Sequence, residues 1–180
     1  MRTGRPRSID RISGIELAKL AATQLDCGFI MVGNGEFTLV DKADQPWLSK
    51  FAWYVAPPCP YVVANIRHKT VYMGRLILGL VDPKQECDHI NRCKLDNRRI
   101  NLRICTRVQN CGNRLKPRGQ FTSNFKGVSK NSRSGRWRAR GKITYKNLHI
   151  GEFDTELEAA RAYNEWATKH FGEFAYLNQI

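Results

Sequence analysis

A chain of 180 residues has room for one or two small domains, and 42% hydrophobic residues can supply their cores. The formal charge of +14 is uneven: residues 92–142 carry sixteen Lys and Arg against one acid, Asp96, which marks a polyanion-binding surface and points to nucleic acid. No stretch is apolar enough to span a bilayer, no lipidation signal is present, and no apolar segment follows the basic N-terminus, so a cytoplasmic protein without a membrane partner is expected.

In chain order, residues 1–8 (MRTGRPRS) read as a basic arm and residues 12–25 as a helix, together a segment 1–27. Gly33-Asn34-Gly35 joins strands at 29–32 and 36–40, because Asn and Gly tolerate the positive φ of tight turns. One helical turn is predicted at 46–50, strands at 52–56 and 61–67, and a short helix at 72–80.

The stretch 86–111, ECDHINRCKLDNRRINLRICTRVQNC, organises the rest. CDHI fits the end of a strand, and the polar NRCKLDNRR fits a loop. Residues 102–105 alternate apolar and polar as a second short strand does, and Thr106-Arg107-Val108-Gln109 is a capping box opening a helix. Strand, loop, strand and helix would fold Asp88, His89 and Asn110 toward one another. A carboxylate and an amide carbonyl are hard oxygen ligands suited to Mg²⁺ or Mn²⁺, and a neighbouring imidazole can take a proton from water near neutral pH. That is a phosphodiesterase site in outline.

DHIN, LDNRRINLRICT and RVQN resemble the HNH nucleases, specifically the phage and intron-encoded homing endonucleases. The resemblance implies a ββα-metal core in which Asp88 and Asn110 hold a divalent metal, His89 is the general base and Asn101 orients that His. Asn110 stands at a position where the family also uses His. Arg92-Cys93 stand where relatives usually have Gly after the DHIN turn, and Gly74 stands where relatives carry a His in an M-H-R-L-I-like segment. The cysteines Cys27, Cys59, Cys87, Cys93, Cys105 and Cys111 form no Cys-x-x-Cys pair, so reduced core thiols are expected and a structural zinc is not.

Residues 114–123 read as a basic linker between a nuclease domain at 28–113 and a third module at 124–180. Strands are predicted at 125–130, 136–143 and 147–153. A helix follows, N-capped by Thr155 with Glu158 completing its capping box, and ends at Phe171-Gly172. On the middle strand Trp137, Ala139, Gly141 and Ile143 fall on one face, while Arg136, Arg138, Arg140 and Lys142 fall on the other. Four cations on an open face repel one another unless an anion joins them, and a sheet laid in the major groove meets that need. KGV, GRWRAR, HIGEFDT, EAARAYN and AYLN resemble the APETALA-type DNA-binding domain of plant ethylene-response factors. By that resemblance Lys126, Arg136, Arg138, Arg140, Lys142, Asn147 and His149 face DNA.

The expected fold class is therefore α+β. A small β-rich region leads into the nuclease core, and a three-stranded antiparallel sheet packed on one helix follows. The expected activity is metal-dependent hydrolysis of double-stranded DNA at a site chosen largely by the C-terminal sheet, with no obligate protein partner. The alternative is a catalytically inactive DNA-binding regulator using the same sheet.

Overall fold

The computed structural model describes residues 27–33, 35–57, 60–117 and 119–180, so the basic arm and the helix expected at 12–25 lie outside the described residues. The class is α+β, with short antiparallel strands and few helices. The chain divides into two compact units between Ile104 and Cys105.

In the N-terminal unit, β1 (Cys27–Val32) and β2 (Glu36–Asp41) form the expected hairpin, with Val32 opposite Glu36 and Gly35 at φ 74°. A helical turn α1 (Gln45–Leu48) leads to β3 (Trp53–Ala56), β4 (Tyr61–Ile66) and β5 (Lys69–Tyr72), an antiparallel sheet in the order β3-β4-β5. Strand β5 occupies a stretch for which the sequence predicts no strand. Its turn from β4 is Arg67-His68, at φ 49° and 62°, a left-handed pair for which neither residue is a usual signal. Helix α2 (Met73–Ile77) follows at once and is shorter than the predicted 72–80.

Then come β6 (Gln85–His89), a 3₁₀ turn Arg99–Asn101 and β7 (Leu102–Thr106), with β6 and β7 paired as a two-stranded sheet. Ile30, Val32, Leu39, Val40, Leu48, Trp53, Val62, Met73, Ile77 and Leu102 form one buried core. The loop from β6 to β7 is fastened to that core. Leu39 N–H donates to Leu95 O and Asn97 N–H donates to Leu39 O, both at 2.8 Å, so this loop lies along β2 like an added strand.

The C-terminal unit opens with α3 (Arg107–Gly112), capped by a reciprocal box in which Gln109 N–H donates to Thr106 Oγ1 (3.3 Å) and Thr106 N–H donates to Gln109 Oε1 (2.8 Å). Its sheet has the order β10-β9-β8, all antiparallel: β8 (Val128–Lys130), β9 (Trp137–Ile143) and β10 (Lys146–Phe153). Helix α4 (Glu156–Phe171) lies on one face, with the Thr155–Glu158 box at its start. Close approach needs small residues beneath it. Ala139 is fully buried, a Cβ at Gly141 would stand 2.3 Å from the Trp166 ring, and one at Gly127 (φ +76°) 2.1 Å from Tyr163.

The helix α3 packs within the C-terminal unit. Cys105 and Val108 pack with Tyr163, Ala167, Phe171 and Phe174, and Gly112 leaves no room for a Cβ beside Phe171. Lys116 is half-buried and donates to the carbonyls of Ser123 (3.0 Å), Phe125 (2.8 Å) and Val128 (3.4 Å). Burial lowers its ammonium pKa from the usual lysine value. Strand β8 begins at Val128 rather than 125, because the Lys126 peptide is taken up by the tail: its N–H donates to Asn178 Oδ1 (2.6 Å) and its carbonyl accepts from Asn178 Nδ2 (3.1 Å).

Candidate active site and nucleic-acid interface

Strand β6 ends in Asp88 and His89, which are 1% and 2% exposed. Arg103, from β7, donates to Asp88 Oδ2 from Nε (3.0 Å) and Nη2 (2.9 Å). A buried carboxylate needs such a partner, since the cost of desolvating it alone is several kcal/mol.

The His89 ring is held by a chain of hydrogen bonds that the sequence did not reveal. Thr38 Oγ1 donates to Leu95 O (2.8 Å), so it accepts from Asn97 Nδ2 (2.9 Å), which also donates to Lys94 O (3.1 Å). Both Nδ2 contacts are with acceptors, and this fixes the amide orientation. Asn97 Oδ1 therefore faces His89 Nε2 at 3.2 Å, and Nε2 carries the proton of the neutral ring. Nδ1 then holds the lone pair. Burial is the main cause that lowers the His89 pKa to about 4 from the usual 6.5; the nearby Lys94 charge adds to it, and the Asn97 bond, Asp88 and Asp96 oppose it.

Asn101 acts on the loop. Its Nδ2 donates to Asp96 O (2.7 Å) and its Oδ1 accepts from Asn91 N–H (2.9 Å). The Asp96 carboxylate in turn accepts from Arg98 Nε and Nη2, both at 2.7 Å, and from Asn91 Nδ2 (2.9 Å). The side chain facing the ring is Asn97, and Asn101, expected to orient His89, closes the loop that carries Asn97. Arg92 adopts φ 64° in this loop, and its N–H donates to His89 O (2.8 Å). Asn110 lies on α3, in the C-terminal unit.

Gly74 packs against the same place. A Cβ there would stand 2.8 Å from Cys87 Sγ and 3.4 Å from Asn97 Oδ1. Burial pushes the Cys87 thiol up to about 11, so it stays protonated at neutral pH and serves as packing.

On the C-terminal sheet the register places Lys142 opposite Asn147, Arg140 opposite His149 and Arg138 opposite Glu152. Directly opposed residues share a face, so Arg138, Arg140, Lys142, Asn147 and His149 stand together on the side away from α4. Their partners differ. Arg138 donates to Glu152 Oε1 from Nε (3.1 Å) and Nη2 (3.0 Å), and Arg136 donates to Asp154 Oδ1 (3.0 Å). Arg140 and Lys142 are exposed and form no ion pair among the described residues. Lys126 is half-buried, and its Nζ donates to Gly112 O (2.7 Å) at the end of α3. Its head group therefore has a structural task within the unit.

A strand–loop–strand hairpin bearing a buried Asp-His pair, together with a cation-faced three-stranded sheet on one helix, defines a DNA-processing class of protein. The comparisons agree. Residues 123–173 match the AP2 domain. The chain is 34% identical over 155 residues to an uncharacterized HNH endonuclease of Acanthamoeba polyphaga mimivirus, covering 82% of this chain and 78% of that one. No solved structure matches. The chain belongs to the HNH endonuclease family and carries a C-terminal AP2 domain. Among the described residues, no helix is long and apolar enough to cross a membrane.

Proposed function

We propose that the protein is a metal-dependent DNA endonuclease that hydrolyses phosphodiester bonds at sites selected largely by its C-terminal sheet. The observation that carries this reading is the His89 environment: a neutral imidazole whose Nε2–H is committed to Asn97 Oδ1 and whose Nδ1 keeps its lone pair. Such a ring accepts a proton from water as the water attacks phosphorus. Asp88 supplies a buried carboxylate oriented by Arg103, and Asn110 an amide oxygen; by the family resemblance these two would hold the metal. The donors are oxygens, which suits a hard Mg²⁺ or Mn²⁺ ion. When bound, that ion neutralises charge developing on the phosphate and the leaving 3′ oxygen. Asn101 serves by holding the loop closed.

Arg140, Lys142, Asn147 and His149 are the proposed DNA-facing set, with Arg138 and Arg136 joining through side chains that also pair with acids. Double-stranded DNA in a host cytoplasm is the expected partner. Incubating supercoiled plasmid with the protein and Mg²⁺ or Mn²⁺ should give nicked or linear product that chelation prevents. Cutting that persists in excess chelator would contradict the metal reading.

A second reading rests on the burial of Asp88 and His89 and on the Arg103 contacts to Asp88. In it the hairpin is a structural remnant, and the chain is a regulator that binds DNA through the sheet without cutting it. Binding without cleavage under every divalent ion tried would favour it.

A further inference from the structure

The C-terminal unit contains a cavity of about 470 Å³, within the range of roughly 300–1,000 Å³ usual for ligand sites. It lies along the half of β9 that β8 does not reach. The β8 pairing ends at Val128 opposite Ala139, and the last bond on that side is from Arg140 N–H to Gly127 O (2.8 Å). Two residues on, the Lys142 peptide points to the same side, into the cavity.

The walls carry Arg107, Arg114, Lys126, Arg140 and Lys142 and no Asp or Glu among the described residues. Lys126 adds charge but is committed to Gly112 O. Arg107, Arg114, Arg140 and Lys142 are exposed. Between the cations lie apolar surfaces from Val108, Leu115, Pro117 and Phe171. At the rim Tyr145 is 80% exposed, on a two-residue turn whose Thr144 adopts φ 56°. A β-branched residue in that region is strained, so this tip is held out against a backbone preference.

Concentrated positive charge against an apolar floor matches a sugar–phosphate chain better than a bare anion: phosphates meet the guanidinium and ammonium groups, and deoxyribose meets the carbon surface. Arg140 and Lys142 belong both to this cavity and to the open face of the sheet, so the two surfaces are continuous. We propose that the cavity binds a sugar–phosphate segment of the duplex flanking the stretch that the sheet covers, with Arg107 and Arg114 as its phosphate contacts and Tyr145 against the sugar edge. The proposal rests on the DNA-binding reading above and adds a second contact outside the sheet.

The test uses the full chain in chelator, so that the DNA stays uncut, on a duplex carrying a site selected with the wild-type protein. Hydroxyl-radical footprinting and binding over a salt series are measured for wild type, Arg107→Gln with Arg114→Gln, and Arg114→Gln alone. The double variant should lose sugar protection at one end of the footprint and keep the centre. Its log–log salt slope should fall by about two, and that of the single variant by about one. Thermal unfolding checks that each is folded; should the double variant fail to fold, the exposed single substitution decides. A double variant, or in its place the single one, with the wild-type footprint and slope would overturn the cavity site while leaving the sheet's role intact. A wild-type chain that protects no DNA would overturn the DNA reading and this site with it.

Discussion

His89 Nε2 lies 3.2 Å from Asn97 Oδ1, and the Asn97 amide is itself locked by Thr38 Oγ1 and Lys94 O. This one contact decides which ring nitrogen is basic. The bonds behind it start at Thr38 on β2, so the N-terminal hairpin helps to fix the ring.

Replacing Asn97 by Leu removes the acceptor and lets the ring take the other tautomer or turn. Cleavage should fall by about 100-fold or more, the scale of a lost general base, while DNA affinity changes little. Thr38→Val should act the same way but more weakly, since Lys94 O still orients the amide. Single-turnover rates and binding isotherms on the same duplex check both; a parallel fall in affinity and rate would assign Asn97 to DNA contact instead.

The depressed His89 pKa has a stability consequence with a definite sign. The unfolded imidazole protonates near 6.5 and the folded one near 4, so between these values the unfolded state binds the proton. Stability should therefore fall as pH drops from 6.5 toward 4, by a term on the order of 3 kcal/mol when complete. In His89→Gln this part of the decline should vanish. Urea midpoints across that range for the two proteins measure it, and parallel curves would show that the ring is not buried neutral.

Arg103 and Asp88 form a buried pair, their side chains 14% and 2% exposed. Arg103→Ala removes the cation that donates twice to the Asp88 carboxylate and should cost up to about 3–5 kcal/mol. Arg103→Met with Asp88→Leu should recover much of that stability without recovering cleavage. Equal stability of Arg103→Ala and wild type would mean that Asp88 has enough other partners.

Gly74 has surroundings that leave little room for a side chain. With 2.8 Å to Cys87 Sγ and 3.4 Å to Asn97 Oδ1, even Gly74→Ala must displace neighbours. We expect about 1–3 kcal/mol of destabilisation and a slower enzyme, because the displaced group includes the His89 partner. Gly74→Ala combined with Cys87→Ala should regain stability; a single variant as stable and active as wild type would show that the space at Gly74 does not affect His89.

On the sheet, Arg140 is the stronger candidate for base readout, because Arg138 already spends its guanidinium on Glu152. Arg140→Ala should lower discrimination between a selected site and scrambled DNA by roughly 1–3 kcal/mol, whereas a lost phosphate contact changes the salt slope alone. A larger loss of discrimination in Arg138→Ala would reverse the assignment.

Much of this was legible in the sequence where the signal is local. Gly33-Asn34-Gly35 announced its hairpin, and both capping boxes formed as written. The alternation along β9 placed Ala139 and Gly141 under α4 and the cations outside. What was not legible depends on distant partners. Asn97 matters through Thr38, 59 residues away, and nothing in LDNRR distinguishes it from a turn residue. Arg67-His68 makes a left-handed turn without Gly or Asn, so β5 was missed. The box at Thr106 announces a helix but not which unit it joins; Gly112 and Val108 settle that by packing on α4 and the segment after it. Lys126 reads as a DNA-facing cation, and nothing local announces that its Nζ also donates to the Gly112 carbonyl.

His89 is proposed to act in the chemical step of DNA cleavage. The most direct test compares His89→Ala with wild type on one duplex, measuring cleavage with Mg²⁺ and affinity with the metal chelated. His89→Ala should cleave about 100- to 10,000-fold more slowly, with affinity within a few-fold of wild type. Undiminished cleavage, or a loss of affinity matching the loss of rate, would contradict that role.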